Sequence, residues 1–366
     1  MTDAPKGHRL TLERVTHRFG DVTAVEGIEL DIAGGELVAL LGPSGCGKST
    51  LLRIIAGFIA QSEGRVLFDG EAVDHVAPTR RGAGIVFQNY ALFPHMTVAQ
   101  NVAYGLEARR LAKDRIESRV ADMLRLVHMQ SYAQRLPRQL SGGQQQRIAL
   151  ARALAVDPKI LLLDEPFGAL DKNLRLDMQI EVKRLQREYG ITAILVTHDQ
   201  EEALSMADRI AVMNRGRIEQ LSSPTDVYDR PQTVFVNQFV GTTNLLHGEL
   251  ADAVLGVVRL EGGGLMAAAP APGLRQGDRV VLSVRPEQLR IHSAHVDGAV
   301  TATIRVVLPL GPHVMYEART DTGVAFRISA PRDAGAQLLL PGECVHVAPV
   351  AAHACNMFAA QSERAA

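Results

Sequence analysis

The sequence predicts an α/β fold with a largely parallel sheet, followed by a small all-β unit. In the first part of the chain, short apolar runs typical of buried strands alternate with segments of helical periodicity, as in strands joined by crossover helices. The strand-like runs are 36–41 (ELVALL), 159–163 (KILLL) and 192–197 (TAILVT). From about Gly241 onward, five β-like runs separated by turn residues indicate an all-β domain.

The individual elements follow from their hydrophobic patterns. The run 36–41 predicts a buried strand, and 51–58 (LLRIIAGF) after it predicts a helix. In the segment 114–130 the apolar residues recur at helical spacing, at Ile116, Val120, Met123, Leu124 and Val127. Residues 172–189 predict a charged amphipathic helix between two strands. In the second part, 262–274 (GGGLMAAAPAPGL) is predicted to be a flexible loop.

The composition of the 366-residue chain limits the functions that it can have. Its length favours two domains, which we place at residues 1–238 and 239–366. With 39 Lys and Arg against 40 Asp and Glu, the net charge of −1 argues against holding nucleic acid through a strong overall field. Three cysteines without a CxxC pair exclude a disulfide scaffold and suit a reducing cytoplasm. The polar N-terminus and the lack of an apolar run of about 18 residues predict no secretory signal and no membrane span.

A glycine-rich segment matches the pattern G-x4-G-K-[ST] of a phosphate-binding loop, between a predicted strand and a predicted helix. Its residues are Gly42, Pro43, Ser44, Gly45, Cys46, Gly47, Lys48, Ser49 and Thr50. The glycines let backbone N–H groups face phosphate oxygens, Lys48 supplies charge to the β- and γ-phosphates, and Ser49 is placed to bind Mg²⁺. Cys46 is interpreted as a small space-filling residue, with a redox-sensitive thiol as the alternative.

Two carboxylates follow the apolar run 160–163 (ILLL), at the edge of a parallel sheet where ligands bind. Asp164 is placed to hold Mg²⁺, and Glu165, whose side chain points elsewhere, to act on the attacking water as a general base. A helix-capping pair is the alternative interpretation. His198 follows the third strand-like run and is predicted to contact the γ-phosphate, while Gln88 follows another short apolar run.

A second glycine-rich segment, 140–144 (LSGGQ), stands before a helical run, so its backbone N–H groups form another anion site. Together with the phosphate-binding loop and LLLDEP, this segment resembles the signature of the nucleotide-binding subunit of ATP-binding cassette (ABC) transporters, over roughly residues 9–235. The resemblance implies a P-loop NTPase fold, that is, an ABC ATPase core with a helical subdomain at about 89–157, and ATP with Mg²⁺ as cofactors.

The resemblance also implies roles for individual residues. Phe19 resembles the aromatic residue that stacks on adenine, and Gln88 the glutamine that senses Mg²⁺ and the membrane partner. The implied catalytic set is Glu165 as base, His198 as switch histidine, Gln88 and Lys48. The nucleotide-contacting set adds Ser141, Gly142, Gly143, Gln144 and Asp171, and the metal set is Ser49, Gln88 and Asp164. Gly168 opens the segment GALD where the family usually has serine, which weakens a hydrogen-bonding role at that position.

The assembly implied by the resemblance is a head-to-tail dimer, in which the signature of one copy completes the phosphate site of the other around two ATP molecules. Its further partners are two transmembrane permease subunits and, indirectly, a periplasmic solute-binding protein, at the cytoplasmic face of the inner membrane. The apolar residues after Gln88 stand where a coupling helix of the permease docks: Tyr90, Leu92, Phe93 and Met96. Their interpretation as interface or as core stays open.

The C-terminal part resembles the oligonucleotide-binding-like β-domain (TOBE) of importer ATPases, in the segments FVGTTNLLHGEL and SVRPEQLRI. The overall pattern is most similar to polyamine (spermidine/putrescine) importers, with iron(III), sulfate, phosphonate or sugar import as alternatives. No basic patch with interleaved aromatic residues is present, which argues against nucleic-acid binding. A soluble cassette ATPase is disfavoured because the chain has one cassette and no sustained heptads, and a degenerate cassette because Lys48, Glu165 and His198 are present.

Overall fold

The structure of the chain is a computed structural model that describes residues 7–168, 170–296, 298–332 and 337–360. The predicted GALD segment therefore contains one residue, Ala169, outside the described part, and residues 1–6 of the predicted polar N-terminus also lie outside it. The chain divides into two compact units, one ending at Pro224 and the other beginning at Thr225. The predicted domain boundary, between residues 238 and 239, falls within the second unit.

The first unit contains two sheets. Its strands are β1 (Leu10–Phe19), β2 (Val22–Ile32), β3 (Leu37–Leu41), β4 (Glu63–Phe68), β5 (Glu71–Ala72), β6 (Ala83–Val86), β7 (Ile160–Asp164), β8 (Thr192–Thr197), β9 (Arg209–Asn214) and β10 (Arg217–Ser222). One sheet is antiparallel with the order β2-β1-β4-β5, and the other has the order β10-β9-β3-β8-β7-β6. Every pair in the second sheet except β10–β9 is parallel. The predicted strands correspond to β3, β7 and β8, so the predicted parallel sheet is confirmed.

The helices of the first unit include a group of three that pack on one another. The helices are α1 (Lys48–Ala56), α2 (Val98–Ala108), α3 (Lys113–Leu126), α4 (Gly142–Ala155), α5 (Lys172–Glu188) and α6 (Gln200–Met206). Short 3₁₀ turns lie at Pro78–Arg80, Gln130–Tyr132 and Pro137–Gln139. Helices α2, α3 and α4 contact one another within the segment where the helical subdomain is predicted. In the described part of the chain, no helix combines the length and the hydrophobicity that crossing a bilayer requires.

The centre of the larger sheet is built from aliphatic residues. Strands β3 and β8 are buried along their whole length, which requires apolar side chains on both faces of a parallel sheet. Helix α1 packs against β7 and β8, and its buried side chains include Leu51, Leu52, Ile54 and Ile55. This core fixes the carboxyl ends of the strands, where the site described below is located.

The second unit is built around two antiparallel sheets, as the all-β prediction requires. Its elements are α7 (Pro224–Asp229), which begins at the boundary, α8 (Val234–Phe239), β11 (Asn244–Asp252), β12 (Val257–Leu260), β13 (Leu265–Ala267), β14 (Arg279–Val284), β15 (Leu289–His292), β16 (Val300–Pro309), β17 (His313–Arg319), β18 (Ala325–Pro331), β19 (Cys344–Pro349) and β20 (Cys355–Ala359), with 3₁₀ turns at Pro286–Gln288 and Ala352–Ala354. The strand orders are β13-β12-β11-β14-β20 and β15-β19-β16-β17-β18. Side chains from both sheets form one hydrophobic core.

The prediction of a loop at 262–274 is wrong for residues 265–267. Strand β13 lies inside this segment and pairs with β12, with Met266 opposite Val258. The reason is the side chain of Met266, which is fully buried in the core of the second unit. Gly263 and Gly264 have φ angles of 84° and 89°, so the glycines that suggested a loop form the turn of a hairpin.

Arg285 explains why the second unit begins before the predicted boundary. Its guanidinium donates to the carbonyl oxygens of Asn237 at 3.0 Å and Tyr228 at 3.1 Å. It also lies over the ring of Tyr228, 4.3 Å from the centroid, and Ser283 donates to the side chain of Asn237 at 2.8 Å. Because these contacts join α7 and α8 to the end of β14, the two helices pack with the β-domain.

Candidate active site

Four neighbouring parallel strands end at one edge of the larger sheet, and each is followed by a predicted functional residue. In the order β3, β8, β7 and β6, the ends of the strands carry the glycine-rich loop 42–50, His198, the pair Asp164 and Glu165, and Gln88, with Asp164 as the last residue of β7. Neighbouring strands lie about 4.8 Å apart, so this order brings the residues together. The arrangement matches the ligand-binding edge of open α/β sheets.

Two glycines of the loop, Gly42 and Gly47, are required by its close backbone packing. A Cβ atom on Gly42 would collide with the carbonyl oxygen of Met213, and one on Gly47 with that of Ala24. Gly47 has a φ of 104° and stands at the N-cap of α1, where no side chain caps the helix. The first N–H groups of α1 therefore have no side-chain acceptor, which is the condition for binding an anion at a helix start.

Lys48 extends back across the loop. Its side chain is buried, with 6% of the residue exposed, and its Nζ donates to the carbonyl oxygens of Gly42 at 2.6 Å and Pro43 at 2.9 Å. Both acceptors are neutral carbonyl groups, so they hold the ammonium group at the loop without neutralising its charge. A bound phosphate would supply the compensating negative charge.

Cys46 supports the space-filling interpretation. It is buried in the loop, and a Cβ on Gly42 would lie 2.7 Å from its Sγ. Burial raises the pKa of the Cys46 thiol, against the opposing effect of Lys48. Because the thiolate is the reactive form, a raised pKa argues against a redox-sensitive residue.

Ser49 and Asp164 face each other beside the loop. The Ser49 Oγ lies 3.5 Å from the Asp164 Oδ1, and burial, followed by the negative charge of Glu165, raises the pKa of Asp164. A cation between these oxygens would stabilise the ionised carboxylate, and hydroxyl and carboxylate oxygens are ligands that Mg²⁺ accepts. The pair therefore fits Mg²⁺. Within the described ranges, no group of three or more His, Cys, Asp or Glu side chains is arranged to hold a metal.

Glu165 is held between two predicted functional residues. Its Oε2 accepts a hydrogen bond from the Gln88 Nε2 at 3.0 Å, and its Oε1 lies 3.2 Å from the His198 Nδ1. Glu165 has a left-handed φ of 45°, and its N–H donates to the carbonyl oxygen of Val196 at 2.9 Å. Asp164 and Glu165 therefore have separate partners, as the sequence predicts. Gln88 donates to Glu165 through its Nε2, whereas a metal would bind its Oε1, so its role as a metal ligand stays a prediction.

The signature residues form the start of α4. Ser141 caps this helix: its Oγ accepts from the Gln144 N–H at 3.4 Å, and the Gln144 Oε1 accepts from the Ser141 N–H at 3.0 Å. Gly143 is buried, and a Cβ on it would lie 2.8 Å from the Leu174 side chain of α5. Ser141 and Gly142 are exposed. The helix start is thus fixed by α5 on one side and open to solvent on the other.

Two predicted nucleotide-contacting residues have other roles within the chain. Asp171 caps α5, accepting from the Leu174 N–H at 3.1 Å. Phe19 ends β1 with 53% of its surface exposed, and it packs edge-on against His17, with the ring centroids 4.4 Å apart. An exposed aromatic ring at this position is free to stack on a base.

The apolar segment after Gln88 divides between core and surface. Tyr90 is buried, which settles its interpretation as core. Leu92, Phe93 and Met96 are half-buried, and the Phe93 ring packs on the exposed Tyr104 at 4.5 Å between centroids. For these three residues both interpretations stay open.

Sequence reasoning missed Arg175, which connects two segments of the site. Its guanidinium donates to the Asp199 Oδ2 at 2.8 Å and to the Leu170 carbonyl oxygen at 3.3 Å. Arg175 therefore joins the residue after His198 to the residue before Asp171. No motif marks it, because an arginine on a charged helix is typical of a solvent-facing position.

Replacing Gly47 with alanine should weaken nucleotide binding by at least about 10-fold and lower the melting temperature, because Gly47 has a left-handed φ and no room for a Cβ. Gly70→Ala is a matched control, since Gly70 has a φ of 81° and a Cβ added there would meet no atom of the described residues within 4 Å. We expect it to lower the melting temperature slightly and to leave nucleotide affinity unchanged. Equal loss of affinity in both variants would contradict the close-packing argument. Calorimetric titration with ATP and thermal unfolding measure the two effects.

The loop, the lysine and the paired carboxylates at the strand ends define a P-loop nucleotide triphosphatase. A family model described as ABC transporter matches residues 25–168, and one described as TOBE domain matches residues 282–356. The chain is 49% identical to the spermidine/putrescine import ATP-binding protein PotA of Rubrobacter xylanophilus, over 93% of this chain and 92% of that protein. It is 51% identical to the PotA protein of Thermobifida fusca, over 85% and 83% of the two chains.

Solved structures show the same relationship. The chain resembles the ATP-binding cassette MJ0796, solved as a dimer bound to ADP and Pi, with a TM-score of 0.53 and 34% identity over 59% of this chain and 98% of that chain. It also resembles CbiO1 of Clostridium perfringens, part of the ABC transporter complex CbiONQ, with a TM-score of 0.57 and 33% identity over 63% and 92% of the chains. The chain belongs to the ABC transporter family and is an ATPase of that family. The predicted fold, an ABC ATPase followed by an all-β TOBE domain, is confirmed.

Proposed function

We propose that the chain hydrolyses ATP at the edge formed by β3, β8, β7 and β6, and that it couples hydrolysis to the import of a polyamine. The observation that carries the catalytic part is the Glu165 carboxylate, held by Gln88 at 3.0 Å and His198 at 3.2 Å, beside a loop built for phosphate. The support for the cargo is the name of relatives that are 46–51% identical over most of the chain.

In this proposal, the chain's own groups divide the reaction into binding and proton transfer. The loop N–H groups and Lys48 bind the phosphates, and Glu165 orients a water molecule and accepts its proton as the oxygen attacks the γ-phosphorus. The bond to the bridging oxygen breaks, and ADP leaves with the electron pair. Mg²⁺ held by Ser49 and Asp164 would offset charge on the phosphate oxygens. Gln88 and His198 keep the carboxylate in place, and His198, 60% exposed at its side chain, is accessible to the γ-phosphate.

The proposed assembly is a head-to-tail dimer in which α4 of one copy completes the site of the other. Ser141 and Gly142 are exposed at the start of α4, where the Ser141 side chain accepts from the Gln144 N–H. The earlier N–H groups of this first turn have no acceptor within the helix, and in the proposed dimer they bind the anion. The similar cassette MJ0796 was solved as a dimer. The further partners that we propose are two permease subunits at the cytoplasmic face of the inner membrane and, through them, a periplasmic solute-binding protein.

The cargo is tested by reconstituting the chain with its permease pair and solute-binding protein in proteoliposomes. Spermidine or putrescine should stimulate ATP hydrolysis several-fold and accumulate inside the vesicles. Stimulation by iron(III), sulfate, phosphonate or a sugar instead would overturn the polyamine assignment while retaining the importer. Hydrolysis that no permease changes would contradict transport and favour a soluble ATPase.

A further inference from the structure

The turn that follows Gln88 has an unusual backbone. Tyr90 and Ala91 are consecutive non-glycine residues with left-handed φ angles of 60° and 46°. Such a conformation is uncommon for residues with a Cβ and persists only when surrounding contacts hold it. The Tyr90 side chain is buried, with 5% exposed, which anchors one side of the turn.

Arg152 supplies the second anchor, from helix α4. One of its terminal nitrogens donates to the Ala91 carbonyl oxygen at 2.7 Å and the other to the Tyr90 carbonyl oxygen at 2.9 Å. The guanidinium also lies 5.7 Å from the centroid of the Phe93 ring. A planar guanidinium presents its donors in a fixed geometry, so two adjacent carbonyl groups bound to it are fixed relative to each other.

The turn connects two parts of the active site. Gln88 lies two residues before Tyr90 and donates to Glu165 at 3.0 Å. Helix α4 begins beside the signature residue Ser141 and carries Arg152 in its last turn. One side chain therefore links the signature helix to the turn that follows Gln88.

We propose that Arg152 is a positioning residue of the ATPase reaction: by holding the Tyr90–Ala91 turn against α4, it keeps the Gln88 amide on the Glu165 carboxylate. The inference rests on the proposed roles of Gln88 and Glu165. Arg152 does not touch the substrate in this scheme. It acts through Gln88, so removal of Gln88 makes Arg152 irrelevant to turnover.

A double-mutant cycle of Arg152→Met and Gln88→Ala tests this dependence. Arg152→Met should lower kcat about 10-fold, because a misplacement of about 1 Å can cost up to about 10²-fold and the turn keeps its other anchor in Tyr90. KM for ATP should change less than about 2-fold. In the Gln88→Ala background, Arg152→Met should change kcat by less than about 2-fold. Arg152→Lys keeps the charge but lacks the rigid fork, so it should lower kcat less than Arg152→Met, again only when Gln88 is present.

Arg119→Met is the matched control. The Arg119 guanidinium also binds two backbone carbonyls of the same subdomain, those of Leu154 and Ala155 at 3.1 Å each, but they lie at the end of α4 and not in the turn. The Arg119→Met variant should therefore keep the wild-type kcat, whatever its effect on the melting temperature of the protein.

Two results would overturn the inference. If the effects of Arg152→Met and Gln88→Ala on kcat multiply, Arg152 does not act through Gln88. If Arg119→Met lowers kcat as much as Arg152→Met does, the loss reflects a weakened subdomain. Failure of the proposed function would be seen in a different measurement, namely wild-type turnover in Glu165→Gln. That measurement is independent of the double-mutant cycle.

Discussion

Replacing Glu165 with glutamine should lower the kcat of ATP hydrolysis by about 10²–10⁴-fold, the usual contribution of a positioned general base, and should leave ATP binding intact. The amide has nearly the same shape as the carboxylate but cannot accept the proton of the attacking water. In the proposed function, phosphate binding depends on the loop and Lys48, whose Nζ contacts loop carbonyls at 2.6 and 2.9 Å. These groups are unchanged in the variant.

The variant is measured by steady-state hydrolysis and by calorimetric titration with ATP. Glu188→Gln is the matched control, because Glu188 forms an exposed i,i+4 ion pair with Arg184 at 2.7 Å at the end of α5. It makes the same chemical change away from the site, so hydrolysis should stay at the wild-type rate. Near-wild-type turnover in Glu165→Gln would show that another group accepts the proton and would remove the basis of the proposed mechanism.

The sequence predicts the main parts of this site because each part depends on local chemistry. The loop 42–50 requires glycines for its close turns, and a carboxylate after an apolar strand indicates a sheet edge. The separate directions of Asp164 and Glu165 follow from their being consecutive residues at a strand end. What the sequence pattern does not show is that β8 lies between β3 and β7. Strand order depends on pairing between distant segments, for which no single window of residues carries a signal.

The contacts that hold the site in place were not predictable in the same way. Arg175 and Arg152 bind backbone carbonyl groups, those of Leu170 and of Tyr90 and Ala91. Every residue has a backbone carbonyl group. A sequence motif therefore cannot indicate which carbonyl group an arginine binds. Strand β13 was missed for a related reason, since the burial of Met266 is decided by the second unit's core and not by its glycine-rich neighbours.

Replacing Lys48 with alanine should abolish measurable ATP binding at concentrations that saturate the wild-type protein. Hydrogen bonds to a charged group contribute about 1.5–3 kcal/mol each. If Lys48 contacts two phosphates, as we propose, its loss corresponds to at least about 10²-fold in affinity. The change also leaves the buried Gly42 carbonyl without the donor that lies 2.6 Å away. Part of the lost affinity therefore comes from a loop that no longer keeps its shape.

Lys113→Ala separates the local effect from a general loss of positive charge. The Lys113 side chain is 91% exposed and only 3.9 Å from Glu117 in a weak ion pair, so its removal should leave ATP affinity unchanged. Wild-type affinity in Lys48→Ala would place the phosphates elsewhere than in the loop.

Together the two active-site variants distinguish nucleotide binding from the chemical step. Glu165→Gln should bind nucleotide without turnover, and Lys48→Ala should show neither binding nor turnover. The separate partners of Lys48 and Glu165 indicate that one residue binds the nucleotide and the other acts in the chemical step. Equal loss of ATP binding in both variants would contradict this division of roles.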